Sequence, residues 1–70
     1  MREYISNKVF ELRKEKNVTQ EEFAKALGVS RQTIIAIEKG NYIPSLLLGL
    51  KIAKFFKRFV EGIFTYKYER

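Results

Sequence analysis

The sequence has no cysteine, no histidine and no aspartate. Without cysteine there is no disulfide framework, no thiolate metal site and no reactive thiol, which fits a reducing interior. Serine, threonine, tyrosine, lysine, arginine and glutamate remain, and they form no nucleophile–base set and no metal cluster of recognisable spacing. An enzyme is therefore not expected, nor is a metal or another cofactor. No apolar run approaches the roughly 20 residues needed to cross a bilayer, and the start of the chain lacks the apolar segment of a secretory signal. The expectation is a cytoplasmic protein with no membrane contact. Low-complexity segments, internal repeats and linkers are missing as well. Residues 1–70 are read as a single small domain, near the lower size limit for independent folding, which a second subunit or a partner surface would help to stabilise.

What is present is mostly apolar and basic. Apolar residues make up 46% and charged residues 31%, the balance of a soluble globular chain. The net charge of +6 leans toward an anionic partner, although surface lysines serve solubility equally well. Residues 41–70 carry six bases against two acids, so the excess lies in the C-terminal part rather than at the start.

The local signals are helical. Ile5, Val9 and Leu12 follow at i, i+4 and i+7, which predicts an amphipathic first helix over "ISNKVFELRKEK". In "TQEEFAKALG", Thr19 and Glu22 have capping-box spacing, Phe23 and Leu27 give a buried face, and Gly28 can take the left-handed conformation that ends a helix. Ser30 opens a third helix that Gly40 closes, and Pro44 with Ser45 opens a fourth, "LLLGLKIAKFFK". A short fifth helix is expected over "VEGIF". Only "FTYKYE" alternates in a way that could suit a strand. The predicted fold class is all-α, a compact bundle of about five short helices.

The second and third helices are joined by "GVS", too short for a long antiparallel hairpin and suited to two helices that cross steeply. Such a corner needs a small residue where the helices touch (Ala24), a turn residue tolerant of positive φ (Gly28) and an apolar residue in the turn (Val29). On the third helix Ile34 and Ile37 project to one side, and Arg31, Gln32, Ile35 and Ala36 to the other. Two isoleucines are thus predicted to be core, while Ile35 is expected on the exposed face.

"TQEEFAKALGVSRQTIIAIEKG" resembles the helix-turn-helix of the lambda-repressor/Cro (Xre) family of bacterial, archaeal and phage regulators, and the likeness runs from "ELR" to "YIPSLLLGLKIAKFF". The resemblance implies a lambda-repressor-like DNA-binding domain with its helix-turn-helix unit at 20–39, acting as a sequence-specific transcriptional regulator, a repressor, that reads the major groove with helix 31–39. Base contacts would fall to Arg31, Gln32, Thr33 and Ala36. Arginine can fork onto guanine, glutamine onto adenine, and the alanine and threonine methyls suit that of thymine. Backbone contacts would fall to Gln20, Ser30, Lys39, Asn41 and Tyr42, although Tyr42 could instead pack on Pro44. Relatives also pair the arginine of "ELR" with the glutamate of "IE-G", which here implies a structural ion pair of Arg13 with Glu38. The partner would be double-stranded DNA carrying a palindromic operator. Small domains of this family also act as antitoxins, so the alternative is an interaction module that binds a toxin protein and autoregulates its operon.

The C-terminal third departs from the resemblance. Relatives have Gly or Asn where this chain has Lys57, Ser or Pro at Phe59, and a helix former at Gly62, and a mid-helix glycine costs about 1 kcal/mol relative to alanine. Helix four carries an apolar arc wider than the ~100° stripe one core requires. Residues 59–70 are therefore read as a dimerisation segment, with Leu48, Phe55, Ile63, Phe64 and Tyr66 forming a homodimer interface. The alternative is that these side chains complete the core of one subunit.

Overall fold

The computed structural model describes residues 2–70. It orders the chain as strand β1 (Arg2–Asn7), helices α1 (Val9–Glu15), α2 (Gln20–Leu27), α3 (Arg31–Glu38) and α4 (Leu46–Phe56), a single 3₁₀ turn (Val60–Gly62) and strand β2 (Phe64–Glu69). The all-α, five-helix expectation is overturned at both ends: four α-helices stand beside a two-stranded antiparallel sheet. Residues 20–56 retain the helices expected of a lambda-repressor-like domain.

The first helix is shorter than its periodicity suggested. The stripe of Val9 and Leu12 continues to Ile5 in register by coincidence, but Asn7 interrupts it. Its Oδ1 accepts a hydrogen bond from the Val9 amide at 3.0 Å and so satisfies one of the free amides of the helix's first turn, just ahead of the N-cap Lys8. Ile5 instead lies in β1, opposite Tyr66 of β2. The pairing runs from Arg2 with Glu69 to Asn7 with Phe64, which puts Glu3, Ile5 and Asn7 on the same face as Tyr68, Tyr66 and Phe64. A lone two-stranded ribbon is marginal in water. This one is fastened to the helices where the Lys8 amide donates to the Ile63 carbonyl at 3.0 Å and where Ile63, 1% exposed, enters the core. The expected fifth helix is reduced to the 3₁₀ turn, because the chain must turn within three residues to start β2.

Each helix contributes side chains three or four apart to one core: Val9 and Leu12, then Phe23, Ala24 and Leu27, then Ile34 and Ile37, then Leu48, Ile52 and Ala53, closed by Ile63. Phe23 is fully buried, and its ring lies 4.9 Å from that of Phe55 and 5.2 Å from that of Phe56. All four helices end on a left-handed residue, at Asn17, Gly28, Gly40 and Lys57, where amides turn back onto the last carbonyls. At Lys57, φ is +55°, a conformation that glycine or asparagine would adopt with less strain. No helix among the described residues is long and apolar enough to cross a membrane.

Candidate nucleic-acid interface

The pair α2–α3 is held by local signals at each of its ends. Thr19 and Glu22 form the capping box: Thr19 Oγ1 accepts from the Glu22 amide at 3.0 Å, and the Glu22 carboxylate accepts from the Thr19 amide at 2.9 Å. These bonds, the backbone one first, hold the Glu22 carboxyl below its ordinary range. Gly28, at φ +75°, stops α2 and sends the chain through Val29, half-buried against the core, into α3. Ser30 then caps α3, its Oγ accepting from the Thr33 amide at 3.2 Å and lying 3.0 Å from the Thr33 hydroxyl.

On α3 the two faces separate. Ile34 and Ile37 are fully buried, whereas Arg31 and Gln32 are exposed at the first turn and, among the described residues, have no side-chain partner. Thr33 and Ala36 are half-buried beside them. Ile35 is also half-buried, so it is partly covered rather than standing out into solvent as its helical position suggested.

The rear of α3 is tied down by a buried charge pair. Arg13 Nε donates to Glu38 Oε2 at 2.6 Å and Nη2 to Oε1 at 3.2 Å, with side chains only 8% and 5% exposed. The third guanidinium nitrogen donates to the Val18 carbonyl at 2.8 Å. Gln20 joins this cluster, its Nε2 donating to Glu38 Oε1 at 3.1 Å, so the side chain at the head of α2 has a fixed direction before any ligand arrives. A groove of about 410 Å³ runs past Arg13, Thr19, Gln20, Glu21 and Arg31 and brings Gln20 and Arg31 to one concavity. Lys39, Asn41 and Tyr42 are exposed just beyond α3, and Ser30 is exposed just before it. These side chains, with the free amides of two helix N-termini, make a surface suited to phosphates and base edges.

The residues read from the C-terminal third are divided. Leu48 and Ile63, 7% and 1% exposed, lie inside the protomer's core, and Phe55 and Phe64 pack half-buried against it. Tyr66 is exposed, and its hydroxyl donates to Glu3 Oε2 at 2.8 Å. Sequence reasoning overlooked Asn7. Its Nδ2 donates to the Ile37 carbonyl at 3.0 Å while its Oδ1 accepts from the Val9 amide. The signal was weak: an asparagine two positions before Val9, one position ahead of where an N-cap residue stands.

The helix-turn-helix family matches residues 9–58 of the chain, the span from the start of α1 to just past α4. An uncharacterized HTH-type transcriptional regulator of Methanocaldococcus jannaschii is 60% identical over 63 residues, covering 90% of this chain and 96% of that protein. YgzD, an uncharacterized HTH-type transcriptional regulator of Bacillus subtilis, is 52% identical over 60 residues, covering 86% and 91%. The cryptic phage CTXphi transcriptional repressor RstR of Vibrio cholerae is 43% identical over 52 residues, covering 74% of this chain and 47% of that protein. The chain thus belongs to the lambda-repressor/Cro-like (Xre) helix-turn-helix family and is a DNA-binding transcriptional regulator.

Proposed function

We propose that the protein is a cytoplasmic repressor that reads the major groove of a palindromic operator with the front of α3. Arg31, Gln32, Thr33 and Ala36 meet the bases, and Gln20, Ser30, Lys39, Asn41 and Tyr42 hold the sugar–phosphate backbone. One observation carries this reading: Arg31 and Gln32 are exposed and unpartnered among the described residues on a helix whose back is fully buried. A repressor rather than an activator is favoured by the likeness to a phage transcriptional repressor.

The operator is read by two copies. With Leu48 and Ile63 inside the protomer, the apolar surface open to a second copy includes Ile43, Leu46, Leu47 and Leu50, each more than half exposed, and in residues 59–70 the exposed Phe59 and Tyr66. The aliphatic side chains among these offer on the order of 450 Å² per protomer, about half of what each partner gives to a standard interface. Such a dimer is weak alone and firm on two half-sites about 34 Å apart.

Selection of bound duplexes from random DNA tests the assignment. Arg31→Ala and Gln32→Ala should each relax preference at one base position of the half-site, whereas uniform loss of affinity for every sequence would mean phosphate contact instead. A reporter with the selected site placed across its promoter should be silenced, and activation would refute the repressor reading. Sedimentation of the protein bound to that site should give two chains per duplex. One chain per duplex would end the dimer proposal.

A further inference from the structure

The recognition helix α3 has only eight residues, so its direction depends on what holds each end. At its front, Ser30 and the turn after α2 provide local anchors. At its rear, the Ile37 carbonyl accepts twice: from the Gly40 amide of its own turn at 3.0 Å, and from Asn7 Nδ2 at 3.0 Å. The second donor comes from the far end of the sequence. Asn7 is itself held by its register opposite Phe64 and by the neighbouring bond from the Lys8 amide to the Ile63 carbonyl. Its side chain is half-buried, and both of its polar atoms are engaged.

We infer that Asn7 is a positioning residue for base reading, the link through which the terminal β-ribbon sets the angle of α3 in the groove. The inference rests on the reading of α3 as the base-contacting helix. Base contacts are two-point hydrogen bonds with narrow geometry, whereas phosphate contacts by flexible side chains tolerate a small tilt. Loosening the rear of α3 therefore weakens operator binding and leaves binding to random DNA nearly as it was.

The two functions of Asn7 can be separated by substitution. Asn7→Asp keeps an oxygen for the Val9 amide and has no donor for Ile37, Asn7→Ser keeps a hydroxyl that ends one bond short of the Nδ2 position, and Asn7→Ala removes both groups. The ratio of operator affinity to random-duplex affinity should fall about three- to tenfold in both the Asp and Ser variants, the scale of one net hydrogen bond. Their thermal midpoints should fall by the several degrees that one hydrogen bond represents, and that of Asn7→Ala further. Comparing the ratio, rather than affinity alone, cancels the general repulsion that the added carboxylate of Asn7→Asp exerts on DNA. An unchanged ratio in both the Asp and Ser variants would overturn the inference and leave Asn7 a structural residue only. Arg31→Ala, assayed on the same selected site, separates the two levels. If its base preference does not change, the reading of α3 has failed, whatever Asn7 does.

Discussion

Glu38→Gln removes a buried charge almost without altering side-chain size. In the parent the Glu38 carboxylate receives two bonds from Arg13 and one from Gln20, and the side chains of the ion pair are less than a tenth exposed. A glutamine offers one acceptor and turns an amide donor toward the guanidinium. Arg13 is then left buried with the Val18 carbonyl as its remaining good partner. Breaking one side of a buried ion pair costs about 3–5 kcal/mol, because the other charge loses solvent without compensation. A domain of this size has a total stability of roughly 4–10 kcal/mol. The loss is thus about half of it, and the midpoint should drop by at least about 15 °C. Arg13→Met should cost a similar amount, since it strands the carboxylate. In the double variant both charges are gone, and the combined loss should fall short of the sum by about 2 kcal/mol or more. Urea titration followed by far-ultraviolet circular dichroism, in the cold so that the single variants remain folded, measures all four proteins. Additive losses would refute the coupling and reduce the pair to two independent polar contacts.

Lys57→Gly should stabilise the chain by about 0.5–1 kcal/mol, since φ +55° strains any residue with a Cβ; an unchanged urea midpoint would refute strain at that turn. Gly49→Ala should also stabilise, by up to about 1 kcal/mol, because a Cβ there meets nothing within 4 Å in mid-helix; a lower melting midpoint would reveal hidden crowding. The Glu22 carboxyl is depressed by its bonds to Thr19, so its contribution is present above the usual carboxylate range and is lost as pH falls through the depressed value. The stability gap between the parent and Glu22→Gln should accordingly narrow on acidification, and a gap independent of pH would refute the capping-box account. Tyr66 is shifted the other way: donation to Glu3 raises its pKa above the ordinary 10.0. Its contribution is complete below that ordinary value and fades as pH rises through the raised one. Phenolate absorbance should show a late-titrating component that Tyr66→Phe removes; its survival in the variant would place the shift on another tyrosine.

The parts of the fold that local chemistry writes were readable, and the parts that depend on distant pairing were not. Thr19, Gly28, Ser30 and Ser45 announce their caps within three residues of the atoms they satisfy, so α2, α3 and the start of α4 were legible. The ribbon joins residues 63 positions apart, as the bond from Tyr66 to Glu3 shows, and neither strand carries its partner's identity. "REYISN" could also be taken for a helix because Ile5 keeps step with Val9 and Leu12. Only the partner strand, with Tyr66 opposite Ile5, makes the extended alternative favourable. The same limit applies to the surface of α4. Its excess of apolar side chains was visible, but which of them are covered depended on where Ile63 came to lie.

This division also separates the face of α3 proposed to read bases from the contacts that hold the helix. The side chains proposed to read bases stand at its front, where Arg31 and Gln32 contact no other side chain of the described protein in a hydrogen bond or ion pair. The restraints stand behind: two buried isoleucines, the Arg13–Glu38–Gln20 cluster and the amide of Asn7. Substitution at positions 31 and 32 therefore removes no intramolecular bond, and exposed surface changes of that kind alter stability by about 0.5 kcal/mol or less. Every restraint behind the helix is, by contrast, shared with another element and cannot be changed alone. A regulator built this way can exchange its operator by changing a few front residues while keeping its fold. The expected outcome is that any pair of residues placed at 31 and 32, proline excepted, leaves the urea midpoint nearly unchanged while the selected half-site differs. A library at those two positions whose stabilities scattered as widely as its specificities would show that the front of α3 also supports the frame.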